Sequence, residues 1–139
     1  EEDVCIPFGR ARIVAEGADI TVVTNSMMTI KAEKAVRQLQ KEGISAELID
    51  LRTIVPLDTE TIIRSVKKTG KLLIVDEGHL SFGITGEIAS RIMPDVFYDL
   101  DAPIQRMGTA DVPLPFSPAL EFPLIPDEKK IAAKIREMV

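Results

Sequence analysis

Four short apolar runs divide this chain, and turn signals or helical patterns flank each of them. Apolar runs of this length with little polar alternation are typical of parallel strands that are covered on both faces. The predicted strands are Ile20 to Thr24, Ala46 to Ile49, Leu72 to Val75 and Ile104 to Met107. The last contains Gln105 and Arg106, which favours an edge position. The polar and apolar alternation of Arg10 to Val14 predicts either a further edge strand or an extended segment across the sheet.

Amphipathic helices are predicted between these strands. The first has an apolar stripe at helical spacing, formed by Ala32, Ala35, Val36 and Leu39. Gly43 is expected to end it, Asp58 to cap a second helix that ends at Gly70, and Pro94 to end a third helix whose stripe comprises Ile84, Ile88, Ala89 and Ile92. Asp127 is expected to cap a last helix. Alternating strands and helices predict an α/β fold with a parallel sheet and helices on both faces.

Composition narrows the class of protein. The chain has 139 residues, 45% hydrophobic and 28% charged, which fits one globular domain with its own core. We predict residues 1–18 as a linker leading into the domain and residues 19–139 as the domain itself. A net charge of -5 argues against nucleic acid as a partner. Without an apolar run of ~20 residues, and with one cysteine, the chain is expected to be soluble and cytoplasmic, or in the mitochondrial matrix of a eukaryote.

The predicted strand ends offer few groups for chemistry. Asp50, Asp76 and Glu77 are candidate ligands for magnesium or groups for a phosphoryl site, since hard cations prefer carboxylate oxygens, but a solvated loop edge is the favoured interpretation. His79 is a candidate general acid or base, although a lone histidine in a polar loop is more often merely exposed. Cys5 is interpreted as a free thiol without a function. The residues alone therefore indicate no convincing active site.

Three further patterns have a functional and a structural interpretation. The run from Ser81 to Gly86 precedes a helix and resembles a phosphate cradle, but close backbone packing at a helix start explains its glycines better. Lysines near the end of the second helix are interpreted as a solvated cluster that complements the helix dipole: Lys67, Lys68 and Lys71. Pro115 and Pro118 fit a proline-rich peptide motif, while an ordered covering loop is the favoured alternative.

Several ordered motifs resemble the β subunits of 2-oxo acid dehydrogenases. The motifs are Ile6 to Ala11, Leu48 to Asp58, Thr69 to Lys71, Val75 to Glu77, Leu100 to Ile104 and Pro115 to Glu121. The chain is similar to the C-terminal domain of such subunits. The acetoin dehydrogenase branch also has an isoleucine at the position of Ile84, which favours a resemblance to that branch. The resemblance implies a transketolase C-terminal-like fold, which is a three-layer domain with a mostly parallel five-stranded sheet. It also implies that thiamine diphosphate and magnesium are bound elsewhere in the parent enzyme, so no catalytic, cofactor-binding or metal-binding residue is assigned in this chain.

The resemblance implies an assembly and partner-docking role. The expected partners are the α subunit, a second β subunit and the small basic peripheral subunit-binding domain of a dihydrolipoyl acyltransferase. We expect Asp99, Asp101 and the C-terminal carboxylate at Val139 to contact that basic domain. The alternative interpretation is that the two aspartates only begin the turn before Ile104. Alternative identities are the C-terminal domain of transketolase or 1-deoxyxylulose-5-phosphate synthase, and a free-standing module that binds a small ligand.

Overall fold

The computed structural model describes residues 5–139, which fold into three layers around one sheet. The strand order is β1-β3-β2-β4-β5, with β1 antiparallel to β3 and the other neighbours parallel. The predicted α/β fold with a mostly parallel five-stranded sheet is confirmed. The strands are β1 (Arg12–Ala15), β2 (Ile20–Thr24), β3 (Ala46–Asp50), β4 (Leu72–His79) and β5 (Gln105–Thr109).

Helices cover both faces of the sheet and enclose two apolar layers. The helices are α1 (Ser26–Lys41), α2 (Thr59–Thr69), α3 (Ile84–Val96), α4 (Pro118–Glu121) and α5 (Glu128–Met138). Helices α1 and α5 pack on one face, while α2 and α3 pack on the other. The central strands β2 and β4 contribute side chains to both layers, which explains why their sequences are apolar without alternation. None of the helices between residues 5 and 139 is long and apolar enough to cross a membrane.

Helix ends follow the signals in the sequence. The backbone of Gly43 and of Gly70 is left-handed, with φ angles of 90° and 68°, and each glycine follows the end of its helix. Asp58 accepts a hydrogen bond from the amide of Thr61 at 3.1 Å, and Asp127 accepts one from the amide of Lys130 at 2.8 Å. These four predictions are confirmed, because capping depends on local backbone geometry that short sequence motifs encode.

Three predicted ends are wrong, and one of them is that of β5, which continues to Thr109 rather than ending at Met107. Helix α3 does not end at Pro94 but continues to Val96, which is fully buried in the same layer as Ile92. Burial of that last turn outweighs the one backbone hydrogen bond that a proline removes. Strand β4 is longer than predicted, so Asp76, Glu77 and His79 belong to the strand rather than to a loop. Its second half is held by β5, where His79 pairs with Thr109 after an irregularity in the register.

The two weaker strand predictions are resolved by the structure. Of the two arrangements predicted for Arg10 to Val14, the chain adopts the edge strand, since Arg12 pairs with Asp50 of β3. Strand β5 occupies the opposite edge, as its polar residues suggested. Gly17 follows β1 and lies directly against the backbone of β3, so the segment up to residue 18 contacts the sheet. The proline-rich stretch forms an ordered segment that includes the short helix α4.

Candidate functional site at the two ends of the sheet

The carboxyl ends of the parallel strands form the first candidate site. Three residues there have a left-handed backbone, with φ angles of 49° at Ser26, 58° at Arg52 and 57° at Phe82. They follow β2, β3 and β4 respectively. Because α1 and α2 leave to opposite faces, the strand order reverses between β2 and β4, which is where α/β sheets usually bind ligands. Clustered backbone strain also often marks a functional site.

The carboxylates expected at this end do not form a metal site. Asp50 accepts a hydrogen bond from the backbone amide of Arg52 at 3.1 Å. Asp76 is mostly buried and accepts one from the amide of Gly78 at 3.0 Å. Glu77 is exposed. Within residues 5–139 there is no group of three or more His, Cys, Asp or Glu side chains that could hold a metal ion.

The structure brings Ser81 and Asp111 beside His79, an arrangement that sequence spacing did not reveal. These residues line an open groove of about 400 Å³ together with Phe82, Val112 and Pro113. His79 Nδ1 lies 2.9 Å from the backbone oxygen of Ala110 and therefore donates to it. The Ser81 hydroxyl donates to Asp111 at 2.5 Å, and this hydrogen bond lowers the pKa of the Asp111 carboxyl.

The hydrogen bonds of this group differ from those of a hydrolytic triad. In a triad the histidine accepts the proton of the serine and is oriented by the carboxylate. Here the carboxylate of Asp111 binds Ser81 directly, and a backbone carbonyl orients His79. The arrangement joins the segments that follow β4 and β5, and we assign it a structural role.

Close packing explains Gly83 in the Ser81 to Gly86 run, as expected. A methyl group on Gly83 would lie 2.1 Å from the backbone oxygen of His79, so only glycine fits at the start of α3. A methyl group on Gly86 would lie 3.1 Å from the guanidinium of Arg106, a contact that a small shift of this flexible side chain relieves, so packing does not require glycine there. Pro118 begins α4 instead of continuing an extended peptide motif, which favours the covering segment over a peptide ligand.

The amino ends of the strands form the second candidate site, and all three expected docking residues are exposed. The amide of Asp101 donates to the backbone oxygen of Gly70 at 2.8 Å, which places this residue beside the start of β4. Asp99 lies 3.8 Å from the ammonium of Lys67, so its charge is partly offset. A small cleft is lined on one side by Ala102 and Pro103 and on the other by the last turn of α5, which Val139 follows in the chain. The structure thus brings the Asp101 loop and the end of α5 to one edge.

An apolar groove lies next to this edge. Its volume is about 650 Å³, and its lining includes Met93, Phe97, Leu100, Pro103, Ile104 and Arg106. Asp101 lies at its border, and Tyr98 projects nearby with almost its whole side chain exposed. Exposed apolar surface beside charged residues is typical of a protein interface.

An ion pair with a buried carboxylate at the same end of the sheet was missed by sequence reasoning. Glu47 in β3 has only 3% of its side chain exposed and forms a salt bridge with Lys68 of α2. Lys68 is exposed in the last turn of α2, as expected for the solvated lysine cluster, and the structure adds its pairing with Glu47. A carboxylate within an apolar strand covered on both faces was the available signal, because such a charge requires a partner. Burial raises the pKa of Glu47, but hydrogen bonds from Lys68 and Ser65 outweigh burial and leave this pKa below its usual value.

We expect Glu47→Gln to reduce the free energy of unfolding by about 1–3 kcal/mol at neutral pH, because the variant loses a charged, buried hydrogen-bond acceptor. Since the folded-state pKa of Glu47 is depressed, its contribution is complete above the unfolded-state pKa and is lost as the pH falls through the folded-state pKa. Urea unfolding at neutral pH and near about pH 3 measures this difference. Glu33→Gln is the control, since Glu33 pairs with Arg37 at the surface. A Glu47→Gln effect that is equal at both pH values would contradict this assignment.

Comparison with known proteins identifies the domain. Residues 9–131 match the family described as transketolase, C-terminal domain. The chain belongs to this family. A chain described as "Split gene transketolase, inactive beta4 tetramer" superimposes with a TM-score of 0.81 at 26% identity, covering 98% of this chain and 43% of that one. A transketolase mutant from Pichia stipitis shares the fold, with a TM-score of 0.64 at 15% identity, covering 92% of this chain and 18% of that one.

Curated relatives of this transketolase C-terminal domain are dehydrogenase β subunits. The β subunit of the pyruvate dehydrogenase E1 component from Rickettsia felis is 47% identical, covering 96% of this chain and 41% of the relative. The β subunit of 2-oxoisovalerate dehydrogenase from Bacillus subtilis is 41% identical, covering 99% of this chain and 42% of the relative. The β subunit of acetoin:2,6-dichlorophenolindophenol oxidoreductase from Cupriavidus necator is 42% identical, covering 95% of this chain and 39% of the relative. The chain spans about two fifths of these relatives, and the resemblance found in the sequence is confirmed.

Proposed function

We propose that this chain is the assembly and partner-docking domain of the β subunit of a thiamine-diphosphate-dependent dehydrogenase. The parent enzyme oxidatively cleaves pyruvate, a branched-chain 2-oxo acid or acetoin and passes the acyl group to lipoamide. Support comes from the relatives, whose names include β subunits for each of these three substrates. The observation that supports docking most directly is the edge where the Asp101 loop, the end of α5 and the apolar groove meet.

Residues 5–139 do not fit a site for thiamine diphosphate and magnesium. Such a site requires oxygen ligands for the metal and donors for the diphosphate. Asp50 and Asp76 already accept backbone hydrogen bonds, and the start of α3 is closely packed at Gly83. We therefore assign the chemistry to other parts of the parent enzyme and derive no catalytic step in this domain.

The chain by itself is expected neither to bind thiamine diphosphate nor to decarboxylate a 2-oxo acid. Titration calorimetry with cofactor and magnesium is the measurement, with a holoenzyme of the same class as the positive control. Heat consistent with a dissociation constant in the micromolar range, about -8 kcal/mol of binding free energy, would contradict the assignment. The expected result is no saturable heat at millimolar cofactor.

The docking partner that we propose is the basic peripheral subunit-binding domain of a dihydrolipoyl acyltransferase. Asp99, Asp101 and Val139 would contact it, and the net charge of -5 favours a basic partner. Surface plasmon resonance with that domain immobilised tests the proposal at two salt concentrations. Association is expected to slow as salt is added, because counterions screen the attraction between opposite charges. Absence of binding by the complete β subunit would reject the docking role.

Association with the α subunit and with a second β subunit is part of the same proposal. The groove beside Met93 and Phe97 provides exposed apolar surface for such contacts. The similar split-gene protein is described as a tetramer of β chains, which favours contact between β subunits. We propose a cytoplasmic location, or the mitochondrial matrix in a eukaryote, and the relative from Arabidopsis thaliana is described as mitochondrial.

The alternative identities have weaker support. Transketolase and 1-deoxyxylulose-5-phosphate synthase would share this fold, but the solved split-gene transketolase is 26% identical, against 41–47% for the dehydrogenase subunits. A free-standing module for a small ligand requires a concave pocket with convergent polar groups. The groove at His79 is open, and its nearby polar groups already bind one another.

A further inference from the structure

Large apolar side chains project from the carboxyl-end side of the sheet. We call this surface the strand-end face, and its exposed members are Phe8, Met27, Val55, Phe82, Leu114 and Phe116. The relative exposures of Phe82 and Phe116 are 109% and 103%, which are those of a residue without any tertiary contact. Exposed apolar residues that occur singly need no explanation, but a set that spans a whole side of a domain indicates a protein interface.

The topology explains why these side chains share one side of the molecule. Met27 lies just after β2, Val55 follows β3, Phe82 follows β4 and Phe116 follows β5. In a parallel sheet the carboxyl ends of the strands lie together, so the segments that follow them also lie together. The strand-end face therefore extends from the β3 side of the sheet to β5.

The segment that carries Phe116 is fixed at both ends, so its exposed side chains belong to an ordered surface. Near its start, Asp111 accepts hydrogen bonds from the hydroxyl and the amide of Ser81, at 2.5 and 3.2 Å. Near its end, the ammonium of Lys31 in α1 donates to the backbone oxygen of Pro126 at 3.0 Å. The segment thus runs from the end of β5 to α1.

Backbone strain at Phe82 also favours an interface. A left-handed backbone is unusual for a bulky side chain and costs free energy, yet here it presents an aromatic ring fully to water. Neither the strain nor the exposure stabilises the domain alone. Both are explained if another polypeptide buries the ring.

The path of the chain indicates which polypeptide this is. The amide of Gly9 donates to the Thr53 hydroxyl at 3.0 Å, and a side chain on Gly9 would contact Pro56. Strand β1 begins opposite Asp50, at the carboxyl end of β3. Residues 5–11 therefore lie at the strand-end face, where Phe8 is mostly exposed. The matched family is by its description a C-terminal domain, so the remainder of a longer relative precedes this segment.

We propose that the strand-end face packs against the preceding domain of the same β subunit. This inference rests on the proposed function, because it assigns the chain to a longer β subunit of which about three fifths lie outside the matched segment. The five strands side by side span roughly 20 Å. A globular domain formed by the remaining three fifths of such a β subunit is roughly 40 Å across. A preceding domain whose chain leads into residues 5–9 is therefore wide enough to cover the face as far as Phe116.

The side of the sheet used for small ligands in many α/β proteins thus serves as a contact between domains. The docking edge at Asp101 lies at the opposite ends of the strands and stays free for the acyltransferase. The preceding domain and the docking partner can then bind this domain at the same time. This separation also makes the two proposals independent in an experiment.

Cysteine labelling tests the proposal in the full-length β subunit and in this 139-residue chain. Each protein carries Cys5→Ser with Phe82→Cys, Phe116→Cys or, as the control, Ala133→Cys. Ala133 is exposed on α5 and away from the strand-end face. Peptide mass spectrometry follows the labelling rate at each position. We expect the first two cysteines to react at least about tenfold more slowly in the full-length subunit than in the chain, with the control unchanged.

Three outcomes would overturn the proposal. Equal rates in both proteins would mean that the preceding domain does not cover the face. Protection that arises only when the α subunit is added would assign the face to that subunit. Protection that rises with the concentration of the isolated chain would assign it to a second copy. Loss of docking at Asp101 changes none of these rates, so failure of the proposed function is distinguishable from failure of this inference.

Discussion

Gly17→Ala is expected to lower the free energy of unfolding by about 3 kcal/mol or more, at the upper end of the range for overpacked sites. The added methyl carbon would lie 2.2 Å from the carbonyl carbon of Ala46 and 2.3 Å from the amide nitrogen of Glu47. Both atoms belong to the backbone of β3 and cannot move aside as a flexible side chain does. The clash must therefore displace Gly17 or the strand, and either change also disturbs the ion pair of Glu47 and Lys68.

Gly43→Ala is the matched control for this prediction. Gly43 has a φ angle of 90°, but a methyl group there would have no atom within 4 Å. Its cost is that of a left-handed alanine alone, about 1 kcal/mol. Urea unfolding followed by circular dichroism measures both variants. Equal effects would show that Gly17 does not pack against β3.

Asp101→Lys is expected to weaken docking of the basic peripheral domain by at least about tenfold, or 1.4 kcal/mol. The residue is exposed, and no salt bridge within residues 5–139 involves it, whereas Asp99 already lies near Lys67. Charge reversal replaces attraction by repulsion during the encounter, so most of the loss should appear in the association rate and should shrink at high salt. Surface plasmon resonance at two salt concentrations separates the association and dissociation rates.

Glu77→Lys is the control for docking, because it makes the same change of net charge at the other end of β4. Glu77 is exposed and lies on the strand-end side, away from the amino-end edge. We expect this variant to retain most of the affinity of the parent. A thermal melt checks that both variants fold. If Asp101→Lys binds as well as the parent, the two aspartates only begin the turn before Ile104.

The sequence by itself determined the elements of this domain and most of their ends. Continuous apolar runs identified β2 and β3, because a strand that is covered on both faces does not alternate between apolar and solvent-exposed polar residues. Gly43, Gly70, Asp58 and Asp127 marked helix ends because capping needs only a few neighbouring residues. The ordered motifs also identified the family, because several specific runs of residues in a fixed order are more distinctive than an apolar pattern.

Only the tertiary structure decided how distant segments meet. Helix α3 continues past Pro94 because Val96 finds a buried site in a layer built from other elements. The pairing of Glu47 with Lys68 and of Ser81 with Asp111 joins residues 21 and 30 positions apart, which local patterns do not encode. The exposed side chains of the strand-end face have a common location only once the strands are placed side by side. Such contacts depend on strand order and packing, because the free energy of burial belongs to the assembled layers and not to any short stretch of chain.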